Sequence, residues 1–442
     1  MVERLEHIIK NEADREEWEN LLQRSGIRQE PPYDAIYGIY DDGRLVATGA
    51  REGNRLKCIA IDNAYQGGTL FNSLLSRMIR DASGSGIERL FVYTKPAAVI
   101  AFEYFGFRRI VDVPGTASFL ERGTPTFNDV IQRWCDETDV FKNHQSNYND
   151  NIERSRRDSN AKAYERTQCL NDIKLKPYSR NEKMYDLVRS FDDIDLKSRN
   201  GETKESDPMH FLDSSDLNSQ GERHDVTFPL SLPVLSPCKK VEDEDTVVES
   251  IVMNANPFTL GHRALVENAL TRASFVHLFV LSEDVSLFPA HIRLRLVREG
   301  TSDLPGVIIH TTDAYMISRA SFPSYFLKKK TDATSVQAEL DATLFRDRIA
   351  PALAITNRTV GEEPADPVTA IYNETLISTL EGKINLTIVP RIKTHEGETI
   401  SASRVRELFL EGDLAGLRPY VPETTYRYLV SCEGQAILKR HL

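Results

Sequence analysis

Two segments of this chain, far apart in sequence, carry residue types suited to holding phosphate. The first is Asn254-Ala-Asn-Pro-Phe-Thr-Leu-Gly-His262, which follows the apolar run Ile251-Val-Met253. A strand that ends in a tight turn and delivers Thr259, Gly261 and His262 onto a helix start builds an anion site. Unpaired backbone N–H groups and the positive end of the helix dipole converge there. Gly261 lets the backbone approach a phosphate, and His262 can donate a hydrogen bond or place positive charge beside one. The plainer reading is an ordinary helix start capped by Thr259. The second segment, Ile400-Ser-Ala-Ser-Arg-Val-Arg406, opens a helix that runs to Gly412. Either Ser401 or Ser403 can cap it, and Arg406 lies one turn in. Each fragment is common by itself. Both on one chain, in this order, point to an enzyme that handles ATP.

The elements that must position these residues are legible. Apolar runs at Val247–Met253, Phe275–Leu281 and Val307–Thr311 alternate with helical patterns at His262–Ala273 and His291–Gly300. That alternation predicts a parallel, doubly wound sheet, whose ligands sit beyond the carboxyl ends of its strands. The first 120 or so residues also mix strands and helices. Strands at Ile36–Tyr40 and Leu45–Ala50 flank the hairpin turn Asp41-Asp42-Gly43, and a third runs over Leu56–Ile61. An amphipathic helix carrying Leu70, Leu74, Leu75, Met78 and Ile79 ends at Ser83-Gly-Ser-Gly86. A strand at Leu90–Tyr93, a helix at Pro96–Tyr104 and a last strand near Phe107–Val111 follow. Between them, from about Lys142 to His224, polar residues dominate too heavily to offset ordering entropy, which predicts a mostly disordered insert.

Bulk properties bound the function. At 442 residues the chain exceeds one ordinary core, so two or three domains are expected. A net charge of -11 argues against a general nucleic-acid or anionic-membrane binder, so any anion site must be a local basic pocket. The cysteines, at 58, 135, 169, 238 and 432, are scattered and never in C-x-x-C spacing. That argues against a disulfide framework or zinc site and predicts a reducing compartment. The amino-terminal residues lack a signal peptide's apolar core, and the apolar runs are strand-sized, so a cytoplasmic protein without membrane spans is expected.

Asn254-Ala-Asn-Pro-Phe-Thr-Leu-Gly-His-Arg263 and Ile400-Ser-Ala-Ser-Arg-Val-Arg406 resemble the two signatures of the nucleotidyltransferase superfamily, and more narrowly those of the citrate lyase ligase family. Further segments share the resemblance: Ser282-Glu-Asp284, Ser286-Leu-Phe-Pro289, Phe322–Leu327, Gln337–Thr343, Ile349–Leu353 and Gly361–Pro364. It covers nearly all of 246–430. The N-terminal region resembles the GNAT acetyltransferase fold, with a departure. The pyrophosphate loop falls on Ala64-Tyr-Gln-Gly-Gly-Thr69, which keeps only its central glycine, and Thr69 adds a Cβ where close approach is wanted. The resemblance implies three segments: a GNAT-like mixed α/β domain over 1–135, the polar insert over 136–245, and a Rossmann-like nucleotidyltransferase domain over 246–442.

The activity implied is acetate activation. ATP and acetate form acetyl-adenylate with loss of diphosphate. The acetyl group then passes to the thiol of the CoA-like prosthetic group on the citrate lyase acyl carrier subunit. Thr259, His262 and Arg406 become the catalytic candidates. ATP binding falls to Asn254, Asn256, Pro257, Phe258, Gly261, Arg293, Arg358, Ile400, Ser401 and Ser403. Mg²⁺ is expected to be held mainly by the ATP phosphates, with Asp313 as a possible carboxylate ligand, and Lys328-Lys329-Lys330 could meet an acidic carrier. Acetate is already ionised at neutral pH, so adenylation needs charge neutralisation rather than a general base. Two rival readings are a phosphopantetheine-type adenylyltransferase and a non-catalytic carrier-protein adaptor with a vestigial nucleotide site.

Overall fold

A computed structural model describes residues 12–144, 247–283, 286–316, 330–362 and 367–441. Expectations for the insert beyond residue 144, for Asp284, Phe322–Leu327, Lys328, Lys329, Glu363 and Pro364 lie outside these residues.

The N-terminal strands are β1 (Ala35–Asp41), β2 (Arg44–Glu52), β3 (Arg55–Ile61), β4 (Leu90–Thr94), β5 (Arg108–Val113) and β6 (Ala117–Arg122). They form a mixed six-stranded sheet in the order β1-β2-β3-β4-β6-β5. Asp42 and Gly43 both take positive φ, 47° and 77°, as a two-residue Asp-Gly hairpin turn requires. Helix Leu70–Gly84 buries Leu74, Leu75, Met78 and Ala82 on one face. Gly49 makes this packing possible, because a Cβ there would lie 2.7 Å from the Met78 sulfur. β3 and β4 run parallel and pair only at Arg55↔Phe91 and Leu56↔Val92. Strand β6 and helix Glu12–Arg24, which buries Trp18, Leu21 and Leu22, were not anticipated from the sequence.

The C-terminal strands are β7 (Glu249–Met253), β8 (Val276–Val280), β9 (Val307–Thr311), β10 (Asn357–Gly361) and β11 (Asn385–Val389). All pair in parallel, in the order β11-β10-β7-β8-β9. β8 is buried along its whole length, as expected of a parallel strand covered on both faces. Helices Leu260–Leu270 and Ala290–Gly300 make the β7–β8 and β8–β9 crossovers. The chain builds outward from β7 to β9, then returns to lay β10 against the other side of β7. That reversal opens the crevice where sheets of this kind bind ligands. The mixed α/β class expected of both regions is what the protein has.

The two sheets share one continuous apolar core. Residues 127–144 are helical and pack onto the parallel sheet, so this helix runs through the boundary expected at 135/136. Trp134 stacks edge-on to Phe279 at 5.1 Å and donates its indole N–H to the Thr311 carbonyl at 3.0 Å. His277 Nδ1 lies 2.9 Å from His310 Nε2, and His310 Nδ1 lies 2.5 Å from a Glu137 oxygen. One set of tautomers satisfies both contacts: His310 donates to Glu137 and accepts from His277. Burial, reinforced by His310, keeps the His277 pKa well below the usual histidine value. Tyr315 donates to buried Glu121, and Arg89 pairs with Asp313 across the same junction. Cys58 and Cys432 are free. Among the described residues no helix is long and apolar enough to cross a membrane.

Candidate active site

The first signature leaves β7 at Met253 and turns sharply. Ala255 takes a positive φ of 49°, and the Asn256–Pro257 peptide is cis. Phe258 lies fully in the core, against Gly300, where a Cβ would lie 2.5 Å from the Phe258 ring. Thr259 then caps helix Leu260–Leu270 from an extended conformation. Its hydroxyl accepts from the His262 N–H at 3.3 Å, while His262 Nδ1 accepts from the Thr259 N–H at 3.0 Å. This is a capping box in which histidine replaces the usual Glu or Gln.

The box fixes the chemistry of His262. Because Nδ1 accepts a backbone hydrogen bond, the neutral ring carries its proton on Nε2 and presents one N–H donor away from the helix. Burial, with a contribution from the Arg391 charge, lowers its pKa to about 4. At neutral pH the ring is therefore a hydrogen-bond donor, not the positive charge that was the other expectation. The Phe258 ring lies nearly parallel to it, 17° between planes and 5.8 Å between centroids.

The second signature meets the first. Ser401, not Ser403, caps helix Ala402–Glu411, accepting from the Arg404 N–H at 3.1 Å. Gly412 ends that helix in the left-handed conformation. A Cβ on Gly261 would sit 3.4 Å from the Ile400 carbonyl oxygen, so the two helix mouths are in contact. Arg406 joins them directly: one Nη donates to the Asn256 carbonyl at 2.8 Å and the other to Ser403 Oγ at 3.0 Å. The guanidinium is half-buried, and desolvation lowers its pKa without making it neutral. Asn256 also accepts the Phe288 N–H on its side chain at 3.1 Å, tying in the segment before helix Ala290–Gly300.

Three expected ligands stand elsewhere. Arg293 is fully buried and spends its donors on carbonyls, at 3.0 Å to Phe288, 2.8 Å to Leu281 and 2.8 Å to Asn254, with a further bond to Glu283. Its Nη1 also reaches the Asn254 side chain at 2.6 Å, so it clamps the loops after β7 and β8 instead of facing a phosphate. Arg358 sits near the amino end of β10, opposite Ser250 of β7, at the wrong end of the strands for the crevice. It is buried against Phe345 and pairs with Asp341 and Tyr372, each at 3.3 Å. Asp313 pairs with Arg89 and accepts from the Ala314 N–H, which removes it as a free magnesium ligand. Asn254 keeps its place at the crevice, where its amide meets Ser286 Oγ at 3.2 Å.

Arg391 escaped the sequence reading. It follows β11, donates to the Glu362 carbonyl at 2.9 Å, and its charge acts on His262. No motif marks it. Its one signal is a cation just past the carboxyl end of a strand. Among the described residues no group of three or more His, Cys, Asp or Glu side chains is placed to hold a metal ion.

Two contiguous helix mouths, a neutral histidine donor and two arginines line a crevice at the strand-order reversal of a parallel sheet, in a Rossmann-like domain. Residues 248–429 match the family model described as citrate lyase ligase C-terminal domain. The citrate (pro-3S)-lyase ligase of Klebsiella pneumoniae is 29% identical over 96% of this chain and 94% of that protein. The Escherichia coli enzyme of the same name is 43% identical over 43% of this chain and 56% of its own length. The chain is thus similar to citrate lyase ligases along nearly its whole length, and residues 248–429 match the C-terminal domain that the family model describes. The N-terminal region is similar to solved acetyltransferase-type structures. FeeM, an N-acyl amino acid synthase from uncultured soil microbes, is 12% identical, covering 28% of this chain and 93% of that one at a TM-score of 0.25. Escherichia coli ElaA, at 13% identity, covers 28% and 99% at a TM-score of 0.25. At these values the two likenesses add nothing to the fold already described.

Proposed function

We propose that this chain is an ATP-dependent ligase that activates acetate as acetyl-adenylate. It then acetylates the thiol of the prosthetic group on the citrate lyase acyl carrier subunit. The observation that carries this reading is the Arg406 guanidinium, which bonds both signatures at once, at 2.8 Å to Asn256 and 3.0 Å to Ser403. The names of the homologues supply the substrate class.

In the first step an acetate oxygen attacks the α-phosphorus, a P–O bond forms, and the bond to diphosphate breaks. Negative charge grows on the α-phosphoryl oxygens and on the leaving group. The two helix mouths, the Nε2–H of His262 and the cations of Arg391 and Arg406 suit that charge, because they are held in place before the reaction begins. Ionised acetate gives up no proton here, so a histidine with a pKa of about 4 costs the step nothing. Mg²⁺ would arrive with the triphosphate, whose oxygens and bound waters are the hard ligands it prefers. Arg293 acts as a positioning residue, holding the loops that shape the crevice.

The test is acetate-dependent exchange of labelled diphosphate into ATP. Exchange that requires acetate and falls at least tenfold in Arg406→Ala supports the reading. Diphosphate release that requires phosphopantetheine in place of acetate shows the rival adenylyltransferase. Failure to bind ATP in a calorimeter shows a non-catalytic adaptor.

A further inference from the structure

One cavity at the junction of the two sheets has no place in the first half-reaction. It encloses about 370 Å³, and its wall is aromatic, built by Phe91, Tyr93 and Phe119 of the N-terminal sheet. Tyr93 and Phe119 stack at 4.3 Å with 9° between their planes, and Phe91 lies 5.6 Å from Phe119. Opposite stand Ser282 and Glu283, just past β8, and Thr311 at the end of β9, while Asn54 and Arg55 edge it from the N-terminal side. The cavity therefore opens at the carboxyl ends of β8 and β9, on the ligand-binding side of the parallel sheet. Neighbouring strands are about 4.8 Å apart, so it lies roughly one to two strand spacings from the end of β7.

We propose that this cavity receives the acyl acceptor: a slender, flexible pantetheine-type arm ending in a thiol. The inference rests on the reading above, that acetate is activated at the signature crevice. Three features select this occupant. The volume is in the lower part of the ~300–1,000 Å³ range of small-molecule pockets, and far larger than acetate needs. The small exposed edges of the aromatic rings suit methylene and methyl groups, while the hydroxyl, carboxylate and guanidinium groups that make up most of the lining suit the arm's amides and hydroxyl. The third feature is coupling. The Arg293 guanidinium bonds the carbonyls of Leu281 and Glu283 on the cavity side and that of Asn254 on the crevice side, so the two spaces are held in fixed register.

In the step served, the thiol loses its proton to water and sulfur attacks the acetyl carbonyl carbon. A C–S bond forms, the C–O bond to the adenylate breaks, and AMP leaves with the electron pair. Entry through a separate cavity lets the arm reach that carbonyl without displacing the nucleotide.

The test uses the full chain with free pantetheine as probe, together with Asn54→Trp and Arg55→Ala. Asn54 lies in the turn between β2 and β3, so a tryptophan there fills the mouth without disturbing the core. Acetate-dependent diphosphate exchange without pantetheine reports on the signature crevice and on folding. Acetyl-pantetheine formation reports on the cavity. The expected result is exchange within twofold of the parent in both variants. The KM for pantetheine rises at least tenfold in Asn54→Trp and severalfold in Arg55→Ala. Unchanged pantetheine KM in both variants overturns the proposal. So does parent protein that exchanges but never acetylates pantetheine, and so does parallel loss of both activities, which would assign the cavity to adenylate formation. Absence of exchange in the parent itself fails the underlying reading first.

Discussion

Two helices in this protein begin after a strand and a turn, with a glycine just inside the first and two glycines just before the second, yet only the first mouth is furnished with side-chain donors. At Leu260–Leu270 the N-cap Thr259 is extended, with φ -119° and ψ 168°, and its hydroxyl and the His262 ring close a reciprocal box. At Leu70–Gly84 the N-cap Thr69 is helical, with φ -84° and ψ -4°, and its side chain makes no cap bond. The first mouth has a second helix start against it, an arginine bridging the two, and a buried arginine fixing its loop. The second has the preceding Gly67 at φ 80° but no comparable set of side chains. Both mouths carry the same backbone dipole. Preorganised side-chain donors separate an anion site from a helix start, and that difference can be tested.

The largest expected effect is on the clamp. Arg293→Met removes a buried cation and leaves several carbonyls without their donor. Its cost should be about 3–5 kcal/mol of stability, the range for breaking a buried charged network. Urea denaturation followed by circular dichroism measures it, and a loss below about 1 kcal/mol would show that the loops after β7 and β8 hold themselves.

His262→Asn comes next. Its side-chain oxygen can still accept the Thr259 N–H, but the outward donor is lost, so acetate-dependent exchange should fall roughly 10²–10³-fold, as for loss of one preorganised oxyanion donor. The same variant carries a pH signature. The folded pKa of about 4 lies below the 6.5 of an unperturbed histidine. As pH falls through 6.5, the unfolded chain binds a proton that the folded chain refuses. Stability therefore declines until about pH 4 and then levels, by roughly 3 kcal/mol for this one group. Asparagine cannot titrate, so that part of the acid sensitivity should vanish. An acid stability curve that His262→Asn leaves unchanged would contradict the partly buried, neutral ring.

Arg406→Lys tests the bridge. A lysine keeps the charge but cannot donate to Asn256 and Ser403 in the planar fork that arginine presents. The KM for ATP should rise about tenfold, near 1.4 kcal/mol of binding, with a smaller change in kcat. A KM for ATP in Arg406→Lys equal to that of the parent would reduce Arg406 to a point charge.

These contrasts also mark what the sequence could and could not disclose. β9 was read to the residue, because Val307–Thr311 is an apolar run bounded by breakers. The sixth N-terminal strand was missed: Ala117–Arg122 carries Glu121, a buried carboxylate that accepts from Tyr315 in the loop after β9. Helix Glu12–Arg24 offered a signal in Trp18, Leu21 and Leu22 at i, i+3 and i+4, but surrounding charge concealed it. The convergence of the two signatures was foreseeable, since each opens a helix and both suit one triphosphate. The destinations of Arg293, Arg358 and Asp313 were not, because an arginine's donors look alike in sequence whether carbonyls or solvent will take them. Neither was Arg391, whose value comes from where β11 ends.

The smallest expected effect is the most discriminating. Thr69→Ala removes a hydroxyl that makes no cap bond and leaves the backbone in a helical conformation that alanine prefers. Stability should change by less than about 0.5 kcal/mol, and both exchange and acetyl transfer should stay within twofold. The matching Thr259→Ala loses a hydroxyl that closes the box, and should cost about 1 kcal/mol of stability together with a measurable fall in exchange. Measured side by side in thermal melts and the exchange assay, the pair asks whether the two mouths differ as their side chains say. If Thr69→Ala reduced acetyl transfer as much as Thr259→Ala reduces exchange, the N-terminal mouth would also be in use. Its single glycine-flanked turn would then be a working binding loop, and the contrast drawn here between a furnished mouth and a bare one would fail.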